Sequence, residues 1–325
     1  MTILRRQIFF MGIAIAFAAA VVWPEFGEAV RRSRIVNAGI FLNFLIVGAS
    51  IEIPPAGSRR RRYARALMAA TGSSLLIVPV VAWAAASWML GGRSDLTVGT
   101  VIVASAPVTV ASGTALTAMA LGDVTLSLLI CVATHLAGLF TMPLLLSVLL
   151  GAGQQIRLPV LSLLRDLALT ILLPVALGWL GHRRLRPRLG AWSRALSQGV
   201  VLLIVFNAVS SSAPHMSWSV VWGRLAFFMI LFHGVVLVYH YLVACWLRLD
   251  EAAASAFTIH SSQKTLTIPY IVWDGFFAVS NPLAMLPAIV YHLTQLVVDT
   301  AVAGFFRRRA ERQAGGIKTA RPADV

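Results

Sequence analysis

Apolar residues fall along this chain in ten long runs separated by short polar breaks. The runs are approximately Gln7–Trp23, Ile35–Ile53, Ala64–Leu90, Leu96–Leu121, Val124–Leu150, Val160–Leu180, Ala195–Ser212, Leu225–Leu247, Ala252–Trp273 and Phe276–Phe306. About 20 helical residues cross the roughly 30 Å of bilayer hydrocarbon, and most of the runs have that length. The breaks carry turn chemistry: Pro24, Pro54-Pro55, Gly91-Gly92, Gly122-Asp123, Gly151, Pro187, Pro214 and Gly275. The pattern predicts an all-α membrane protein of about ten transmembrane helices. Residues 1–150 form a first five-helix repeat, residues 151–306 a second, and residues 307–325 a basic cytoplasmic tail without structure of its own. Because five is odd, the two repeats sit in opposite orientations, the inverted plan of many secondary transporters.

Composition supports the bilayer as solvent. Hydrophobic residues make up 58% of the chain and charged residues 12%, against about 25% charged in a soluble domain. The net charge of +15 would point to nucleic acid in a soluble protein. Here the arginines sit in short loops, so the charge reads as topology and contact with anionic lipid, and nucleic acid is not an expected partner. With the N-terminus inside, 19 Lys and Arg fall on the cytoplasmic side and 7 on the other. The cytoplasmic set includes Arg5, Arg6, Arg59–Arg62, Arg65, Arg183, Arg184, Arg186, Arg188, Arg194, Arg248 and the tail; the opposite set includes Arg31, Arg93, Arg157, Arg165 and Arg224. Both termini are therefore expected to be cytoplasmic, with the chain multi-pass in the cell's inner or plasma membrane. The first run has the form of a signal peptide, but removing it leaves an odd helix count, so it is expected to be retained. Cys131 and Cys245 lie within apolar runs and have no disulfide or metal-ligand spacing.

One basic residue is left over. Lys264 is the only Lys or Arg within a run and away from its ends, and Ser261, Ser262, Gln263, Thr265 and Thr267 surround it. A charge at mid-bilayer costs a few kcal/mol, about 2.5–3.5 on insertion scales, so this cluster points to a protein-lined, water-accessible cavity. Run four holds a comparable stretch, Pro107 to Thr117, with Thr109, Ser112, Gly113 and Thr114. At an offset of 150, Ser112 falls on Ser262, Leu116 on Leu266 and Thr117 on Thr267. Pro107, Gly113 and Pro269 are suited to interrupting a helix, and the hydroxyls can satisfy freed backbone groups or an ion. Runs four and nine are thus expected to be discontinuous helices that cross near the midplane.

Residues 106–149, with Gly122-Asp123 and Met142-Pro143, are similar to the sodium/bile acid symporter family. Lys264-Thr265-Leu266-Thr267, then Pro269 and Tyr291-His292-Leu293-Thr294-Gln295, resemble a divergent branch of it with Lys in the second crossover. The resemblance implies a panel domain from the first two spans of each repeat and a core domain from the last three. It implies a secondary transporter of an organic anion such as a bile acid, steroid sulfate or carboxylate, with sodium as coupling ion. Gly113-Thr114 match the Ser-Asn pair of the first crossover, and Ser127 and Cys131 the Ser and Thr of the following span. Thr258 or Ile259 falls where the second crossover has Glu, and Ser262-Gln263 or Gln263-Lys264 on its Gln-Asn pair. The missing Glu leads to the expectation that the Lys264 ammonium replaces one sodium, with transport uncoupled from that ion or coupled to protons.

Further candidates are His135 near Cys131 and Ser127, His292 and Gln295 on one helical face, and Asp299. His233 and His240 share a face, with no expected metal role and no carboxylate nearby in sequence. No paired carboxylates, His box, nucleophile elbow or phosphate-binding loop is present, which argues against an enzyme or an ATP-driven pump. A non-transporting sensor on a transporter fold is the alternative.

Overall fold

The computed structural model describes residues 3–50, 60–91, 94–154, 159–185, 187, 189, 191–216 and 221–319. Among these every regular element is helical. In chain order they are α1 (Ile3–Val22), α2 (Pro24–Arg32), α3 (Ile35–Ser50), α4 (Arg60–Gly72), α5 (Val78–Ala86), α6 (Asp95–Ser105), α7 (Ala111–Met119) and α8 (Val124–Gln154). There follow α9 (Val160–Leu167), α10 (Leu173–Leu180), α11 (His182–Leu185), α12 (Ala191–Ser212), α13 (Val221–Trp246), α14 (Glu251–Ser262), α15 (Thr267–Phe276) and α16 (Leu286–Thr319). A π-helical turn at Ser73–Ile77 joins α4 to α5, and another at Ala168–Leu172 joins α9 to α10. The turns expected at Pro54-Pro55 and Gly92, and loop arginines Arg59, Arg93, Arg157, Arg186 and Arg188, lie outside the described residues.

Among the described residues six helices are long and apolar enough to cross a bilayer: Tyr63–Gly91, Val124–Gly151, Val160–Leu180, Ala195–His215, Trp222–Trp246 and Pro282–Gln313. A seventh arises if Met11–Val22 and Pro24–Arg32, bent by 103° at Pro24, count as one span. Their outer faces expose large apolar side chains such as Phe140, Val148, Leu161 and Leu242, while Ser, Thr, His and Gln are enclosed. That inversion of the soluble pattern is what lipid requires, since hydrocarbon solvates Leu and leaves polar groups to pair inside the protein. Together with the apolar composition, this makes the chain an integral, multi-pass membrane protein.

Two groups of helices can be traced. In the first, α1, α2 and α3 pack on α10 and α12. The contacts run through glycines: Gly12 meets Leu202, Gly27 meets Ser210, Gly39 meets Val200, Gly48 meets Val175 and Gly178 meets Leu45. Between membrane helices the attraction is mostly van der Waals, so small residues that let backbones close up supply it. In the second group, α6, α7 and α14 are surrounded by α5, α8, α13 and α16, and α15 packs on α6, α9 and α12. Polar links join the groups at one end. Arg31 Nε is 2.7 Å from Asp274 Oδ1, Tyr270 donates to Asn207 at 2.9 Å, and Ser212 donates to the Pro282 carbonyl at 2.8 Å.

The segment after Phe306 differs from the expectation of an unstructured tail: α16 continues to Thr319. Its start is held by an Arg307–Glu311 pair at 2.8 Å along the helix and by Arg309–Glu251 at 3.0 Å to α14. The charge spacing i, i+4 supports one more helical stretch beyond the apolar face.

Candidate functional site

Runs four and nine are not continuous. Run four consists of α6, an extended break at 106–110, and α7; run nine consists of α14, a break at 263–266, and α15. The halves match landmark by landmark. Ser94 and Asp250 are N-caps whose side chains accept from the amides of Thr97 and Ala253. Ala106 (φ −70°, ψ 151°) and Gln263 (φ −79°, ψ 154°) leave the helix in nearly the same conformation. These landmarks lie 156 to 157 residues apart, about two helical turns more than the offset of 150 at which Ser112 falls on Ser262. Ser112 and Gly113 lie in the first turn of α7, and Ser262 ends α14. Pro107 lies within its break, whereas Pro269 is in the first turn of α15, where a missing N–H costs no helical hydrogen bond.

The two broken helices run antiparallel. Asp95, at the start of α6, accepts from Asn281 Nδ2 at 2.9 Å and from the Leu283 amide at 3.0 Å, beyond the end of α15. At the centre the Thr265 amide donates to the Pro107 carbonyl at 3.0 Å. Past the end of α7, the Asp123 amide donates to Ala252 O at the start of α14 at 2.8 Å.

Lys264 is 1% exposed. Its Nζ donates to the Ser74 carbonyl at 2.6 Å, Ser74 Oγ at 2.9 Å and the Ala106 carbonyl at 3.0 Å. Both carbonyls are free for physical reasons. Ala106 O belongs to the break. At the π turn Val78 N donates to Ser73 O, and the next donor in that i, i+5 register would be residue 79, a proline. Among the described residues no carboxylate pairs with Nζ; its charge rests on carbonyl and hydroxyl dipoles. Gln295 holds the backbone beside it: Oε1 accepts from Lys264 N at 2.8 Å and Nε2 donates to Lys264 O at 2.9 Å.

Gln263 joins both breaks. Its Oε1 accepts from Thr109 at 2.6 Å and Ser112 at 3.1 Å, and its Nε2 donates to Asp299 Oδ2 at 2.7 Å. His260 Nε2 donates to Thr109 O at 2.7 Å, and its Nδ1 meets Ser127, which also accepts from Thr117 at 3.2 Å. Gly113 is helical, so its role is space: a Cβ there would run into the His260 ring. Gly113→Ala is expected to push that ring off Thr109 and Ser127, costing about 1–3 kcal/mol by overpacking. A thermal melt checks this; a midpoint equal to wild type would show that the ring has room to move.

Other expected residues have smaller parts. Thr114 donates to Val110 O at 3.2 Å within α7, and Thr265 Oγ1 accepts from Thr267 N at 3.4 Å. Cys131 is buried, with Sγ 3.7 Å from His135 Nδ1. His292 Nδ1 faces Gln295 Nε2 at 2.9 Å. Thr258 and Ser261 are buried, and among the described residues their hydroxyls have no hydrogen-bond partner.

Four participants could not be singled out as site residues from the sequence. Ser74 is an ordinary serine until the π turn exposes its carbonyl. His233, expected to lack a carboxylate, lies 2.7 Å from Asp299, which α16 supplies from 66 residues away. His240 spans Ser262 at 2.9 Å and Ser73 at 3.0 Å. Tyr291 donates to Ser262 O at 2.8 Å. The available signal was the count of polar residues in runs eight and ten, which exceeds what lipid-facing helices carry. Among the described residues no group of three His, Cys, Asp or Glu side chains is placed to hold a metal.

The chain is similar to several known proteins. It is 28% identical over 219 residues to the Escherichia coli (strain K12) protein named "Putative symporter YfeH", covering 63% of this chain and 64% of that one. It is 26% identical over 244 residues to "Probable sodium/metabolite cotransporter BASS4, chloroplastic" of Arabidopsis thaliana, covering 70% of this chain and 56% of that one. The match thus spans less than two thirds of either relative. A Pseudomonas aeruginosa protein named "Uncharacterized protein PA2026" is 27% identical over 328 residues, covering 96% of each chain. The SBF-like CPA transporter family model matches residues 7–308, nearly the whole chain, and the protein therefore belongs to that family of membrane transporters rather than to an enzyme family.

Proposed function

We propose that the protein is a secondary transporter of an organic anion, working by alternating access, in which the Lys264 ammonium stands where a coupling sodium ion would otherwise sit. The single observation that carries this reading is the ligation of Nζ by Ser74 O, Ser74 Oγ and Ala106 O, an all-oxygen set at an unwound helix. Such sets bind cations in discontinuous transporter helices. A tethered ammonium fills the set permanently, so a sodium ion has no vacant oxygen shell there. Its charge, with the N-terminal ends of α7 and α15 close by, favours an anionic substrate. The relatives' names, symporter and sodium/metabolite cotransporter, agree with a small metabolite as cargo.

The helices also support ten spans in two inverted repeats. The first repeat is α1, α3, α4–α5, α6/α7 and α8; the second is α9–α10, α12, α13, α14/α15 and α16. The glycine-packed group then forms a panel and the remainder a core. The Arg31–Asp274, Asn207–Tyr270 and Ser212–Pro282 links must part for the site to open at their end. Bile acids, steroid sulfates and small carboxylates are the anions to try, and both termini are taken as cytoplasmic.

Ligand-induced thermal stabilisation of the purified protein tests this. One or more of these anions is expected to raise the midpoint with concentration, following RT ln(1 + [L]/Kd). Sodium chloride is expected to do no more than choline chloride at equal ionic strength. Stabilisation by sodium alone would overturn the tethered-cation reading.

A further inference from the structure

His233 and Asp299 are wholly enclosed, with side chains 0% exposed. They meet Nε2 to Oδ1 at 2.7 Å. The ring's other nitrogen, Nδ1, lies 3.1 Å from the Tyr291 hydroxyl. That hydroxyl has one proton, and the proton is committed to the Ser262 carbonyl, which can only accept. The Nδ1 contact is a hydrogen bond only if the ring supplies the proton. With Nδ1 protonated, Nε2 and Oδ1 can bond only through a second proton, held by the ring or by the carboxyl. Either way the pair carries two protons and is neutral as a unit. A neutral imidazole beside a carboxylate would carry one fewer.

The surrounding histidines need no such extra proton. His260 Nε2 donates to Thr109 O, and its Nδ1 accepts from Ser127. His240 Nδ1 donates to Ser262 Oγ, whose proton goes to Thr258 O, and its Nε2 lies 3.0 Å from Ser73 Oγ, nearer than the Ala70 carbonyl at 3.3 Å that competes for that hydroxyl's proton. His292 Nδ1 accepts from Gln295. His135 Nδ1 donates to Cys131 O, and among the described residues its Nε2 has no partner. None of the four rings needs a second proton to make these bonds. The second Asp299 oxygen accepts from Gln263. The α6 segment brings only Asp95, at its far end and bound to Asn281; α7 brings no titratable group. Arg309 and Glu251 pair at the exposed end of α14 and α16. Lys264 supplies the one positive charge held within the breaks.

Resting on the transport reading above, we propose that the His233–Asp299 pair is the coupling site and carries one proton with each monoanion. When the proton leaves for water, the ring keeps one proton and Asp299 becomes a carboxylate. The remaining proton moves to Nε2, facing that charge, and Nδ1 becomes an acceptor. The Tyr291 hydroxyl then turns from Ser262 O to Nδ1. Ser262 ends α14, so proton release removes a hydrogen bond at the break itself, beside Gln263 and Lys264. Charge sets the stoichiometry. With the pair neutral, Lys264 leaves the site at net +1, and a monoanion brings it to zero. With the proton gone the site is already neutral and nothing draws the anion. Both the loaded and the empty forms thus avoid moving net charge through the bilayer centre.

The test uses the full-length protein in proteoliposomes and labelled monoanion probes: a bile acid, a steroid sulfate and a short-chain monocarboxylate. Two quantities are measured, exchange against the same unlabelled anion without gradients, and accumulation under two pH units, acid outside. Wild type is expected to exchange a probe and to accumulate it toward the roughly 100-fold limit of one proton per anion. An imposed potassium–valinomycin potential should leave accumulation unchanged. Asp299→Asn and His233→Gln are expected to exchange more slowly, and their ratio of accumulation to exchange should fall to that seen without a gradient. Gradient-driven accumulation by an exchanging Asp299→Asn protein overturns the site, as does wild-type exchange that ignores the pH gradient. If wild type exchanges no probe, the transport reading itself fails. In that case, or if both variants fail to exchange, potentiometric titration of monodisperse protein in detergent decides the site. Uptake of about one proton fewer per chain by Asp299→Asn supports it, and equal uptake overturns it.

Discussion

Lys264→Ala is expected to make a sodium-indifferent protein sodium-responsive. Removing the ammonium leaves the Ser74 and Ala106 carbonyls and Ser74 Oγ facing each other with only the serine's own proton to share. Each buried acceptor left unpaired costs about 1–3 kcal/mol, and more than one is left here. Relief of the buried charge offsets part of that, so a net loss of about 2–4 kcal/mol in sodium-free buffer is expected. The three oxygens then form an open cation site. Sodium at 100 times its Kd would return about 2.7 kcal/mol. The measurement is the melting midpoint of wild type and Lys264→Ala in sodium chloride against choline chloride. A sodium-dependent rise confined to the variant supports the ammonium as a stand-in ion. A variant that loses stability and gains nothing from sodium would show Lys264 to be a structural donor only. Anion-induced stabilisation should also weaken in the variant without sodium and recover with it, because the positive charge that draws the anion has been restored.

Gly48→Val and Gly178→Val are expected to give the largest losses of folded protein. A Cβ at Gly48 would overlap the Val175 carbonyl and stand 2.8 Å from its Cα; one at Gly178 would overlap the Leu45 carbonyl and stand 2.9 Å from Ala49 N. The obstacles are backbone atoms on both sides, so no side chain can rotate away. Relief requires α3 and α10 to separate along their whole contact, and in lipid no hydrophobic effect draws them back. Overpacking of this kind costs about 3 kcal/mol or more. Size-exclusion chromatography of detergent-extracted protein checks it: each variant should lose its monodisperse peak. Gly199→Ala is the control, since among the described residues nothing outside its own helix backbone comes within 4 Å of its added Cβ. Its effect should stay within about 1 kcal/mol, with the better helix propensity of Ala in its favour. A monodisperse Gly48→Val protein would mean that the α3–α10 contact is not what holds this group of helices together.

The apolar runs made most of the helices legible, because lipid imposes the same demand on every span and that demand is written in local composition. Lys264, Gln263 and Thr265 could be singled out in the same way. A polar cluster with a charge in mid-run has no lipid-facing explanation. Both interrupted helices were anticipated, yet their registration was not. Ser112 and Ser262 share a hydroxyl, whereas the positions that leave their helices in the same backbone conformation are Ala106 and Gln263, which share no chemistry. Backbone equivalence leaves little trace in residue identity.

From the sequence alone came an all-helical, membrane-embedded chain, its polar midpoints and one unexplained charge. Local hydrophobicity and turn residues determine these, and neither depends on distant contacts. Only the tertiary structure decided what surrounds the charge. The π turn that frees Ser74 O, the approach of Ala106 O from 158 residues away, and the pairing of His233 with Asp299 all arise from how separate helices meet. A buried donor or acceptor takes whichever partner packing brings within 3 Å, and single spans, each satisfying its own backbone, carry no record of their neighbours.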